Sequence, residues 1–266
     1  MSYCIDGVVY DGKDTPYLSP REFYTLIEEG KTPTTSRVSA EESYRFFSEL
    51  LSQGKDVLHI SFSSAMSGSY DEYLSAAKRV SAQYPERKIR VLDSKCACAG
   101  EGLLCYYALK KRDEGATLDE NFEYLSVLRN RIGHAFTVDN LFHLYRGGRL
   151  SRGAAIVGQA IKVKPILMVN EDGALVNFAN VLGRKAAIRT LVDKMQADGA
   201  ANSPNDCVFI AHGDCVRDAE LLAEKVMDRF GLQAVITPTG PIIGSHCGKG
   251  MLALLYVGEN KTNRSV

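Results

Sequence analysis

Four short stretches hold the residues best suited to chemistry. "SSAMSGSY" (63–70) follows an apolar run and carries Ser63, Ser64, Ser67, Gly68 and Ser69. "TPTTSRVS" (32–39) supplies Thr34, Thr35 and Ser36. "DNLFHLYRGGRLSRG" (139–153) sets Arg146, Arg149 and Arg152 around Gly147 and Gly148. "GPIIGSHCGKG" (240–250) places His246 among glycines, in what reads as a loop before the apolar run "MLALLYV". Hydroxyls, arginines and the free N–H groups of a helix start all favour an anion. Each stretch also has a plainer reading: a serine-capped helix, a solvated basic turn, or a histidine bonded to nearby carbonyls.

Several chemistries fail on spacing. A nucleotide-binding phosphate loop needs four residues between its glycines and a Ser or Thr after the lysine. Here Gly244 and Gly248 enclose three, and Gly250 follows Lys249. No GxSxG elbow marks a nucleophilic serine. The seven cysteines form no CxxC pair and read as buried small hydrophobes in a reducing compartment. No His or Cys pair has metal-ligand spacing, so neither a metal nor a cofactor is expected.

The elements that must position these residues follow from periodicity. From about residue 35 onward, apolar runs alternate with helical patterns. Ser39 with Glu42 and Thr117 with Glu120 are capping boxes, each opening an amphipathic helix. "DVLHISF" (56–62), "KIRVLDS" (88–94) and "GHAFTV" (133–138) read as strands separated by helices, which predicts a mainly parallel sheet. After about 160 the pattern changes. "VKPILMVNEDGALVNFANV" reads as a hairpin around "EDG". A helix over 184–197, "CVFIAHG", a helix over 216–230, "LQAVITPTG" and "MLALLYVG" follow. The expectation is two α/β domains, residues 1–145 and 146–266, the second with a mixed sheet.

Composition agrees. Hydrophobic residues make up 45% of 266, enough for a sizeable core. Acidic and basic residues balance at 32 each, so no general attraction to nucleic acid is expected. No apolar run is long enough for stable membrane insertion, and no signal sequence opens the chain, which predicts a cytoplasmic protein.

Taken together, the ordered set "TPTTSRVS", "ISFSSAMSGSY", "VLDS", "FTVDNLFHLYRGGRLS", "IKVKPIL" with "EDGAL", "GRKAAI", "HGD" and "GPIIGSHCGKG" resembles the DegV family of bacterial fatty-acid-binding proteins. The resemblance implies a non-catalytic protein that buries a long-chain fatty acid between two α/β domains. It also implies that the acyl carboxylate is presented to a separate fatty acid kinase, which holds the ATP. By motif match, Thr35 or Ser36, Ser67 with Gly68 and Ser69, and His246 surround the carboxylate. Arg149 shapes the mouth or the partner surface. If His246 is protonated, it also neutralises the carboxylate's charge. Two departures stand out. Arg37 and Val38 replace the family's usual Gln-Pro. The chain also begins at what resembles the family's second strand, without the strand and "TDS"-type turn that normally come earlier. The other readings of the same residues are a lipid-binding scaffold or regulator, and a serine hydrolase.

Overall fold

The computed structural model describes residues 1–150 and 162–259. Arg152, singled out in the sequence, lies outside them. The chain opens with a hairpin, β1 (Ser2–Ile5) and β2 (Val8–Tyr10), then α1 (Pro20–Glu28), whose Ser19–Glu22 capping box satisfies the first turn. β3 (Thr34–Ser36) pairs antiparallel with β1, so the threonine stretch is a strand. The cap of α2 (Ala40–Ser52) is Ser39, whose hydroxyl accepts the Glu42 N–H at 3.1 Å. Next come β4 (Val57–Ser61), α3 (Ser69–Gln83), β5 (Ile89–Asp93), α4 (Ala99–Asp113) and α5 (Leu118–Leu128). β4 and β5 are parallel, joined through α3.

The remaining elements are β6 (Ile132–Thr137), α6 (Phe142–Arg146), β7 (Val163–Val169), β8 (Leu175–Leu182), α7 (Arg184–Ala197), β9 (Val208–His212), α8 (Val216–Phe230), β10 (Ala234–Pro238), α9 (Pro241–Cys247) and β11 (Leu252–Val257). They include a six-stranded mixed sheet in the order β10-β9-β11-β6-β7-β8. Two expectations are corrected here. β6 was expected beside β5 in the parallel sheet. It pairs instead with β11 and β7, antiparallel to both. All six of its residues are buried, and continuous burial marks a central strand without saying which sheet it is central to. "PIIGSHC" was expected as loop but is helical. Pro241 sits in the first turn, where its missing N–H costs nothing.

Alternation along β11 divides the core. Leu252, Leu254 and Tyr256 face α7 and α8, whereas Ala253, Leu255 and Val257 belong to the core under α4. That second face of the mixed sheet is where the ligand-sized space lies.

Candidate functional site

A cavity of about 290 Å³ opens between the α4 face of the mixed sheet and the loops of the N-terminal half. Its floor is apolar: Phe136, Leu144, Met251, Ala253 and Leu255, with Phe62 and Met66 opposite. Thr35, Ser36, Ser67, Gly68, Arg149 and His246 all line it, though they lie up to 211 residues apart in the chain. Ser69 does not line it. It is fully buried behind Ser67, with the two hydroxyl oxygens 3.0 Å apart.

Local chemistry explains each placement. The serine loop is anchored at both ends. Ser63 Oγ donates to Gly173 O at 2.8 Å, reaching the β7–β8 turn. Ser64 donates through its backbone N and its Oγ to the two oxygens of Asp93, at 3.1 and 2.6 Å. Those two serines therefore hold the loop, and Ser67 and Gly68 are left facing the cavity at the start of α3. Arg149 Nε donates to Met66 O at 3.0 Å, and its Nη1 donates to Gly147 O. Arg146 Nη2 donates to Pro33 O and Ser245 O at 3.1 and 3.4 Å, joining the approach to β3 with α9.

His246 sits in the last turn of α9. Its Nε2 lies 2.8 Å from Thr35 Oγ1, while its buried Nδ1 has no hydrogen-bond partner among the described residues. The glycine that gives it room is Gly147. A Cβ there would stand 2.2 Å from Nδ1. The neighbouring glycines do other work: a Cβ on Gly248 would meet His143, and one on Gly250 would meet Asp139. Burial, with Arg149 and Arg146 nearby, pushes the imidazole down to about 4, so it is neutral at neutral pH. Positive charge at this wall therefore belongs to the arginines, not to a protonated histidine.

Sequence reasoning missed three features. Arg37 lines the cavity, its guanidinium laid over Gly68 and paired with Glu72 at 3.1 Å. His134 also lines it. Its Nε2 accepts the Ala97 N–H at 3.1 Å, and Nδ1 lies 3.0 Å from Ile132 O, so the ring braces the α4 start against β6. Adjoining the cavity is a second space of about 290 Å³, which shares Met1, Phe62, Cys98, Ile242 and Ile243 with the first. His59 and Glu101 line it. Burial pushes Glu101 up to about 7 and His59 down to about 4. A carboxyl in the first turn of a helix looks like a dipole partner in sequence, so nothing marked Glu101 as buried. Cys98 and Cys247 are wall residues, and burial raises both thiols, Cys247 to about 12, so they behave as small apolar groups.

The molecule is an α/β protein whose largely apolar cavity wall also carries hydroxyls, a neutral imidazole and arginines. The chain belongs to the DegV family, whose model, described as uncharacterised protein, matches residues 2–259. A DegV domain-containing protein of Clostridium perfringens is 38% identical over 258 residues, 97% of this chain and 88% of its own. Two solved structures share the fold. One is a fatty acid binding DegV family protein of Streptococcus agalactiae (28% identity, TM-score 0.80, 97% and 90% of the two chains). The other is the Streptococcus pneumoniae Fatty Acid Kinase B3 protein loaded with linoleic acid (19% identity, TM-score 0.86, 97% and 89%).

Proposed function

We propose that this protein binds a long-chain fatty acid in the cavity and presents its carboxylate to a separate fatty acid kinase. The observation that carries this reading is the asymmetry of the cavity wall. Apolar side chains line most of it, and at one end Thr35, Ser67 and His246 meet Arg149. Each buried methylene contributes about 0.8 kcal/mol, so an acyl chain is strongly driven inward. A carboxylate cannot follow unpaired, and the polar end supplies its hydrogen bonds.

In this reading the chain itself does no chemistry. On the kinase, the carboxylate oxygen attacks the γ-phosphorus of ATP and ADP leaves, giving an acyl phosphate. Ser67 is not set up as a hydrolase nucleophile: its hydroxyl pairs with Ser69, while His246 pairs with Thr35. The likeness to the streptococcal neighbours supports both the ligand and the partner. Seven free cysteines suit a cytoplasmic setting. No described helix is long and apolar enough to cross a membrane.

Native mass spectrometry of protein purified from cells, before and after denaturation, tests the reading. A co-purifying fatty acid is expected, together with its phosphorylation when kinase and ATP are added. Apo protein that fails to bind added palmitate overturns it.

A further inference from the structure

Three guanidiniums gather at the polar end, and they are not equivalent. Arg146 and Arg149 are half-buried and donate to backbone carbonyls. Neither forms an ion pair among the described residues. Arg37 differs. Its side chain is 62% exposed, and it pairs with Glu72, which is 22% exposed. Its Nη1 stands 2.8 Å from where a Cβ on Gly68 would lie, so only glycine allows the guanidinium to rest on this part of the wall. Arg37 is thus the outermost cation on the cavity wall, beside Ser67 and Gly68.

Two charge arguments follow. With His246 neutral, the uncompensated charge at the polar end among the described residues is that of Arg146 and Arg149, and a single carboxylate offsets one of them. A phosphorylated head group carries nearly two negative charges at neutral pH and offsets both. The added phosphoryl group also lies beyond the carboxyl carbon, farther from the acyl chain. With the carboxyl seated between Thr35, His246 and Ser67, those outer oxygens project toward the exposed rim. Arg37 is the cation there. Its present partner, Glu72, also accepts the Ala40 N–H at 3.1 Å, so the guanidinium can turn from it to a phosphate while the carboxylate keeps a donor. A planar guanidinium offers two parallel N–H donors to a phosphate.

We propose that Arg37 reads the outer oxygens of an acyl phosphate, so that the site holds the phosphorylated lipid more tightly than the parent fatty acid. The proposal rests on the fatty-acid reading above and adds to it a residue that distinguishes product from substrate. Arg37 stands where the family resemblance leads one to expect glutamine, so this discrimination belongs to the present chain.

The test uses palmitate and hexadecylphosphonate, a stable analogue with a dianionic head, titrated against the whole protein at a pH where the phosphonate is fully ionised. Wild type should bind the phosphonate more tightly. Arg37→Gln should lower the phosphonate-to-palmitate affinity ratio about tenfold, the size of one lost charge-assisted hydrogen bond. Arg37→Lys should restore part of the ratio, and Glu72→Gln, which frees the guanidinium, should raise it. A ratio unchanged in Arg37→Gln, or an equal loss for both ligands, overturns the proposal while leaving fatty acid binding intact. A wild-type protein that binds neither ligand overturns the fatty-acid reading itself.

Discussion

Two polar clusters in this molecule are satisfied differently by the fold. Behind the mixed sheet, Lys194 is 1% exposed and Asp198 5%. Lys194 Nζ donates to one Asp198 oxygen, Tyr256 OH donates to the other at 2.6 Å, and the Phe178 ring lies 4.9 Å from Nζ. Both carboxylate oxygens are satisfied from within the chain. At the cavity, His246 Nδ1 has no hydrogen-bond partner among the described residues, Arg149 donates to the carbonyls of Met66 and Gly147, and the adjoining space is lined by Glu101, a carboxyl whose charged form burial disfavours. A buried polar group left without a partner is costly, a cost that the closed cluster avoids and that His246 Nδ1 bears.

That contrast can be broken experimentally. The largest effect is expected at the closed cluster. Asp198→Ala removes the carboxylate paired with a buried ammonium and the acceptor of the Tyr256 hydroxyl, and should cost about 3–5 kcal/mol in urea unfolding. Palmitate affinity, measured where the variant is still folded, should stay within twofold. A large loss of affinity would mean that the two regions are not separate.

His246→Ala should do the reverse. Loss of a hydrogen bond to a charged group is worth about 1.5–3 kcal/mol of fatty acid affinity. The melting temperature of the ligand-free protein should fall only slightly, because the ring gives the fold a single internal hydrogen bond, Nε2 to Thr35 Oγ1, and Nδ1 gives none among the described residues. Gly147→Ala should mimic it in part, since the new methyl displaces the ring. A drop of several degrees with affinity intact would make His246 structural.

Glu101 sharpens the comparison through pH. Burial pushes its folded carboxyl up to about 7, from an ordinary value of 4.5. Across that window the native state binds more protons than the unfolded state, so stability falls as pH rises. Glu101→Gln should therefore match wild type near the lower limit and gain on it toward the upper, reaching about 3 kcal/mol above pH ~7. Paired urea titrations across the window measure this difference. A pH-independent difference would show that Glu101 ionises normally.

The smallest effect is expected at Ser67. Ser67→Ala should weaken fatty acid binding by about 1.5 kcal/mol, because the hydroxyl faces the cavity but also bonds to Ser69. Unchanged affinity by calorimetry would remove Ser67 from the site.

Much of this was legible in the residues. The hairpin around "EDG", the helix over 184–197 and the Thr117–Glu120 capping box depend on neighbours within a few positions, and the fold has them where the pattern puts them. Ser67 stood out because four serines around one glycine exceed what capping needs, whereas Thr35 and His246 were placed at the site by the family resemblance. Other features were set by partners far away in the chain. β6 reads as a buried strand, but its sheet is chosen by β7 and β11, whose matching registers exist only after folding. His246 carries no sequence mark of its charge, which is settled by burial and by two arginines about a hundred residues earlier. The same holds for Gly147, a turn residue by its sequence, which makes room for His246 only once α6 and α9 pack together. Short-range backbone preferences act within a turn or two of chain, so sequence alone determines the elements and the candidate donors. Ionisation and ligand shape depend on burial and on charges brought close from elsewhere, and only the tertiary structure decides those.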